Sequence, residues 1–148
     1  FHAPAPTEIY TQVNSSAASD VYKRQVVARV QETLNEVSKP MRGSTVLVMG
    51  LTYKPDIADD RETPATAVIR NLRRLGTRVV AHDPFLDGFV VDGVPVEMSS
   101  DLAADLAACD LALVLQHHSG YDLDAVAAAA PLVFDTRGTM RHANVTRL

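Results

Sequence analysis

The sequence predicts an α/β fold: an open, mainly parallel sheet with helices on both faces, three layers in all, preceded by one further helix. Three observations carry this. Short apolar runs rich in β-branched residues alternate with segments of helical period. The runs are apolar throughout, as strands covered on both faces require. With 148 residues, 47% of them apolar, the chain is long enough for one ordinary core and one domain.

The elements follow in order. Val26, Val27, Val30, Leu34 and Val37 recur at helical spacing and predict an amphipathic helix that ends before the Lys39-Pro40 break. Gly43 leads into a buried strand, Thr45 to Gly50. Thr63 can cap a helix with Pro64 at its first position, and Ala65, Val68, Ile69, Leu72 and Leu75 form its apolar stripe as far as Gly76. Arg78 to Ala81 reads as a second buried strand, and Val94-Pro95-Val96 as an edge strand because of its proline. Ser99 or Ser100 is expected to cap a helix through Leu102 and Leu106. Leu111 to Leu115 is a further strand, Leu123 to Ala130 a helix packing closely on the sheet, and Leu132-Val133-Phe134 the last strand.

The first 25 residues show no steady apolar period, and residues 1–25 are expected to be an irregular leader. The tract Ser15 to Gln25 resembles translated library-adapter sequence, so no function is expected of it. A start at Phe1 instead of Met suggests a piece of something longer.

A formal net charge of −4 and a sequence pI near 5.7 give no broad attraction for nucleic acid or an anionic membrane surface. Any anion must be met locally. One cysteine, Cys109, makes no internal disulfide, and there is no secretory or membrane-spanning apolar run. A reducing, cytoplasmic setting is the expectation.

In an open parallel sheet, ligands bind outside the carboxyl ends of the strands, so the residues just after each strand are the candidates. Here they are polar: Tyr53, Lys54, Asp56, Asp59, Asp60, Arg61 and Glu62, then His82 and Asp83, then Gln116, His117 and His118, then Asp135 and Arg137. The Leu51–Glu62 loop is twelve residues long, against about 2 to 6 for most strand-to-helix connections. It brings a lysine and an arginine to a helix N-terminus, which favours phosphate. A solvated charged loop is the alternative. Gly50 is followed by no second or third glycine at dinucleotide-fingerprint spacing, and there is no Walker lysine. Phosphate would then be held by side chains, with Lys54, Arg61 and Arg137 as candidates.

Other chemistries fit less well. His82, Asp83, His117 and His118 contain metal-ligand types, but neighbouring residues of an extended segment point opposite ways. Cys109, between an alanine-rich helix and a strand, reads as a packed thiol. There is no G-x-S-x-G elbow, and Asp59-Asp60 reads as helix-dipole charge. A receiver domain shares the alternation but would want acidic residues after the first strand and lysine near the last, where this chain has Lys54 and Arg137.

Several spaced blocks carry a resemblance. Val48-Met49-Gly50-Leu51-Thr52-Tyr53-Lys54-Pro55-Asp56, then Asp59 to Ala65, then Gly76 to Pro84, then Ala108-Cys109-Asp110, Gln116-His117-His118 and Asp135-Thr136-Arg137 together resemble the C-terminal domain of the UDP-glucose/GDP-mannose dehydrogenase family. The resemblance covers 41–148, with 26–40 similar to the end of the family's central, dimerisation helix. It implies a Rossmann-like, nucleotide-sugar-binding domain of an NAD-dependent enzyme that oxidises the C6 alcohol of a UDP-sugar or GDP-sugar to a carboxylate in two hydride transfers, UDP-glucose and UDP-N-acetylmannosamine being the substrate types. By matching position, Tyr53, Lys54 and Arg137 look like substrate contacts and Arg61 like the residue reaching the cofactor's pyrophosphate. The glycine-rich motif that binds most of the NAD and the nucleophilic cysteine belong to the family's N-terminal half, and Cys109 does not match the latter. The implied partners are that half and a second copy of the enzyme. The chain alone is expected not to catalyse the oxidation. The alternative is a non-catalytic nucleotide-binding or regulatory module of the same fold.

Overall fold

The computed structural model describes residues 17–148. The elements in order are α1 (Ala17–Glu36), β1 (Thr45–Met49), α2 (Ala65–Arg74), β2 (Arg78–His82), β3 (Val90–Val91), β4 (Val94–Pro95), β5 (Glu97–Met98), α3 (Leu102–Ala108), β6 (Leu111–Val114), α4 (Leu123–Ala129), β7 (Val133–Asp135) and β8 (Val145–Arg147). Six strands form one sheet in the order β5-β2-β1-β6-β7-β8, and every neighbouring pair is parallel. Renumbered within the sheet this is 3-2-1-4-5-6, the doubly wound Rossmann order.

β1 shows why the fold has three layers. All of Val46 to Met49 is inaccessible to solvent, and alternate residues serve opposite faces. Val46 and Val48 pack with Val26, Val30 and Leu34 of α1 and Val68, Ile69 and Leu72 of α2. Leu47 and Met49 pack with Leu106 of α3 and with Val126, Ala127 and Ala130 in and just after α4. Small alanines let α4 sit close to the sheet, and Asn144 Nδ2 donates to the carbonyls of Ala127 and Ala130 at 2.8 and 2.9 Å, closing the helix end.

Several expectations need correction. α1 starts at Ala17, so the second part of the stretch expected to be irregular is helical; residues 1–16 lie outside the described set. Its stripe is spent on the chain's own core, except that Val37 lies beyond the helix end and is 45% exposed. Leu75 likewise falls off the α2 stripe, because it is the C-cap residue of a helix that ends before Gly76 at φ 81°. Val94-Pro95 is not an edge strand of the main sheet. It pairs antiparallel with Val90–Val91 in a separate hairpin, which Arg73 ties to α2 by donating to the Val91, Val94 and Pro95 carbonyls. The edge position falls to β5. The cap of α3 is Asp101, whose carboxylate accepts from Ala104 N, and not Ser99 or Ser100. Ser99 N is bonded to Ala81 O, which holds that residue to the sheet. The chain also adds a strand beyond the expected last one: β8 pairs with β7 in the register Val133↔Val145.

Cys109 is a packed thiol, as its position suggested. It is 4% exposed, donates to Leu106 O at 3.3 Å, and burial pushes its pKa up to about 11, the surroundings of a structural thiol.

Candidate functional site

The strand order reverses between β1 and β6, and the carboxyl end of the sheet at such a reversal is where folds of this kind bind ligands. Two segments meet there: the residues after β1, from Gly50, and the residues after β6, Leu115 to Ser119. They approach closely. Gly50 has φ 85°, and a Cβ built there would lie 2.6 Å from Gln116 Cβ and from its carbonyl oxygen. Only glycine fits. In a dinucleotide-binding turn that closeness serves the ligand's pyrophosphate; here Gln116 occupies the space.

Gly50 N still donates to His82 O of β2 at 3.0 Å, and beyond it side chains supply several of the loop's hydrogen bonds. Asp83 Oδ2, just after β2, accepts from Leu51 N at 2.7 Å. Gln116 Nε2 donates to Tyr53 O at 2.9 Å, and Thr52 Oγ1 to Lys54 O at 2.7 Å. His118 Nδ1 accepts from Asp56 N at 2.9 Å, while Ser119 N donates to Asp56 Oδ1 at 2.7 Å. That last bond holds the Asp56 carboxyl below its ordinary pKa. The other face of His118 pairs with Asp83, Nε2 to Oδ2 at 2.8 Å, and both side chains are fully buried.

The loop so fixed presents a cleft of about 380 Å³ lined by Tyr53, Lys54, Ile57, Asp59, Arg61 and Glu62. Tyr53 and Ile57 are 53% and 47% exposed, high for apolar surface with no packing partner. Arg61 makes a two-pronged pair with Asp59, Nε to Oδ1 at 2.9 Å and Nη2 to Oδ2 at 3.0 Å. The guanidinium hydrogen bond draws the Asp59 pKa down to about 2. The Arg61 side chain is 85% exposed, so the pair is worth little and its guanidinium can turn to another anion. The loop ends at Thr63, whose Oγ1 accepts from Ala65 N at 3.2 Å at the start of α2.

Of the residues singled out from the sequence, Tyr53, Lys54 and Arg61 thus share one cleft. Arg137 does not line it. It follows β7, with β6 between it and β1, and its side chain is exposed. Its backbone is held by Asp135, whose Oδ1 accepts from Arg137 N at 2.9 Å and from His117 Nε2 at 2.8 Å. Asp135 Oδ2 accepts from Thr139 N and Met140 N, both at 2.8 Å. The adjacent histidines therefore face opposite sides of β6, His118 toward the Lys54 loop and His117 toward the Arg137 loop. Among the described residues no group of three His, Cys, Asp or Glu side chains is placed to hold a metal ion, and no helix is long and apolar enough to cross a membrane. Sequence reasoning placed Asp83, Gln116 and His118 on this edge without seeing that they shape the loop.

Known proteins resemble this chain in sequence and in fold. The UDP binding domain of the UDP-glucose/GDP-mannose dehydrogenase family matches residues 47–142. The chain is 33% identical over 101 residues to UDP-glucose 6-dehydrogenase TuaD of Bacillus subtilis (strain 168), covering 67% of this chain and 22% of that protein. It is 28% identical over 121 residues to UDP-N-acetyl-D-mannosamine dehydrogenase of Methanococcus maripaludis (strain C7 / ATCC BAA-1331), covering 76% and 27%. Among solved structures, NDP-N-acetyl-D-galactosaminuronic acid dehydrogenase from Methanosarcina mazei Go1 superposes with TM-score 0.70 at 22% identity, over 85% of this chain and 28% of that one. The UDP-N-acetyl-mannosamine dehydrogenase Cap5O from Staphylococcus aureus gives TM-score 0.61 at 26% identity, over 84% and 29%. The chain spans less than a third of the length of each of these relatives. By its matched residues and its sheet order, this chain belongs to the UDP-glucose/GDP-mannose dehydrogenase family, an oxidoreductase family, and corresponds to its UDP binding domain.

Proposed function

We propose that the chain is the nucleotide-sugar-binding domain of an NAD-dependent UDP-sugar 6-dehydrogenase, of the UDP-glucose or UDP-N-acetylmannosamine type, which oxidises the C6 alcohol to a carboxylate. The observation that carries the proposal is the convergence of Tyr53, Lys54 and Arg61 on one cleft at the carboxyl edge of the sheet. A nucleoside diphosphate needs concentrated positive charge beside an apolar surface for its sugar or base. Lys54 and Arg61 offer the charge, and Tyr53 and Ile57 the surface. Lys54 acts as a point charge on the diphosphate of the substrate, and the Tyr53 ring covers the adjoining sugar.

NAD, when bound, supplies the hydride acceptor. The exposed Arg61 guanidinium fits a contact with its pyrophosphate, once turned from Asp59. A complete dinucleotide site does not fit here, because Gln116 fills the glycine turn and the Asp83 carboxylate is consumed by Leu51 N, His118 and Phe85 N. The rest of the cofactor would lie on the N-terminal half of the enzyme. Arg137, on the same edge, would contact substrate from the side as the halves close. A homodimer of the whole enzyme belongs to this proposal, although the α1 stripe from Val26 to Leu34 is already buried in the chain's own core. A reducing, cytoplasmic setting suits the single buried thiol.

Calorimetric titration tests the reading. The wild-type chain is expected to bind UDP with a Kd on the order of micromolar or weaker, and Lys54→Ala to weaken it by about tenfold or more, as loss of a charge-assisted contact does. Equal affinity in the two proteins would remove Lys54 from the site.

A further inference from the structure

The buried His118–Asp83 pair does not line the cleft, yet both ring nitrogens and both carboxylate oxygens are engaged. His118 has no exposed side-chain surface. Phe85 packs edge-on against it with ring centroids 5.0 Å apart, and Tyr121 lies at 5.8 Å. Its Nδ1 accepts the Asp56 N–H, so the ring proton sits on Nε2 and is directed at Asp83 Oδ2. Thr52 Oγ1 lies 3.3 Å from the same nitrogen. Asp83 in turn is fixed by Leu51 N at Oδ2 and Phe85 N at Oδ1. One Asp–His pair thereby grips the loop at Leu51 and at Asp56, on either side of Tyr53 and Lys54. Asp56 itself stands at φ 60°, in the left-handed region that Asp tolerates better than most residues. There its N–H donates to His118 and its carboxylate accepts from Ser119 N.

We propose that His118, held in its Nε2–H tautomer by Asp83, is a positioning residue for the nucleotide-sugar site: it sets the Leu51–Asp56 backbone so that Tyr53 and Lys54 face the cleft. This rests on the reading of Tyr53 and Lys54 as nucleotide-sugar contacts. A packing histidine needs only its ring. A positioning histidine needs both ring nitrogens, and its effect on binding must pass through the loop it holds.

The test uses His118→Phe, which keeps a ring and loses both hydrogen bonds. Amide hydrogen exchange is expected to rise at least tenfold at Leu51 and Asp56 while Val46 and Val48 in β1 keep their protection. UDP affinity is expected to fall about tenfold, and the same change made in a Lys54→Ala background to have a smaller further effect, the part that runs through Tyr53. His118→Gln, which keeps an acceptor and a donor, should recover part of the affinity. If His118→Phe does not fold, the wild-type ring nitrogens still decide: their ¹⁵N shifts should show the Nε2–H tautomer, and the Nδ1–H tautomer would overturn the proposal. Unchanged exchange at Leu51 and Asp56, or an equal loss of affinity with and without Lys54, overturns it too. Failure of the wild-type chain to bind UDP instead strikes the nucleotide reading, and the exchange result stands apart from it.

Discussion

Gly50→Ala is expected to destabilise the chain by about 4 kcal/mol, the sum of a left-handed backbone penalty of about 1 to 2 kcal/mol and an overpacking cost of about 1 to 3 kcal/mol. The clash cannot be relieved cheaply. The added methyl would meet the carbonyl oxygen of Gln116 at 2.6 Å and its backbone nitrogen at 2.7 Å, and that backbone continues β6, whose neighbour Leu115 N is bonded to Met49 O. Moving it would part β1 from β6 at the point where the site is built. A thermal melt should show Tm falling by something on the order of 10 °C. Gly43→Ala is the control. Gly43 has φ 87° but nothing within 4 Å of a built Cβ, so it carries the backbone strain alone and should cost about 1 kcal/mol. Equal losses in the two variants would mean that Gly50 is not held against Gln116.

Asp135→Asn is expected to cost about 3 kcal/mol at pH 7, with a pH dependence that identifies the cause. The carboxylate is fully buried and accepts four hydrogen bonds, from His117, Arg137 N, Thr139 N and Met140 N. An amide would turn a donor toward some of these donors. Burial alone would raise the pKa of Asp135, but the backbone bonds from Met140 and Arg137, with His117, more than offset it and leave it below its ordinary 3.8. A lowered folded pKa means that the unfolded chain takes up protons first as the pH falls. The stability from this carboxylate is therefore fully present above about pH 4 and is lost as the pH falls through the folded value. Urea unfolding should show a wide gap between wild type and Asp135→Asn at pH 7 and a narrower one at pH 3. A gap independent of pH would assign the loss to packing and not to the charge. Because Asp135 holds the turn that carries Arg137, the variant also tests whether that turn keeps its shape.

The alternation of buried runs and amphipathic helices fixed the layers because each strand of the sheet's centre is covered on both faces, and the chain has to say so in residues such as Val46 to Met49. What failed to show had little hydrophobic signature. β8 is an edge strand whose evidence is backbone pairing, Val133 N to Asn144 O and the register to β7; its residues Val145, Thr146 and Arg147 show no apolar run. Three successive polar residues, Ser99, Ser100 and Asp101, are all good caps. The choice fell to Asp101 because β5 and β2 hold Ser99 back. The same limit applied to the site. Lys54 and Arg61 are legible as cations on a long loop at a helix N-terminus, since charge and position are local. That Asp83 from β2 meets His118 from the far side of β1, or that Arg137 stands apart from the Lys54 cleft, depends on strand order, which a single sequence does not state.

We propose that this chain binds a uridine diphosphate group in the cleft beside β1. The most direct measurement is an amide ¹H–¹⁵N NMR titration of the wild-type chain with UDP. Saturating shifts should map to Tyr53, Lys54, Ile57 and Arg61 and to the first turn of α2, leaving β3 and β4 and the outer face of α1 unmoved. Shifts confined to any other surface, or none at millimolar UDP, would contradict it.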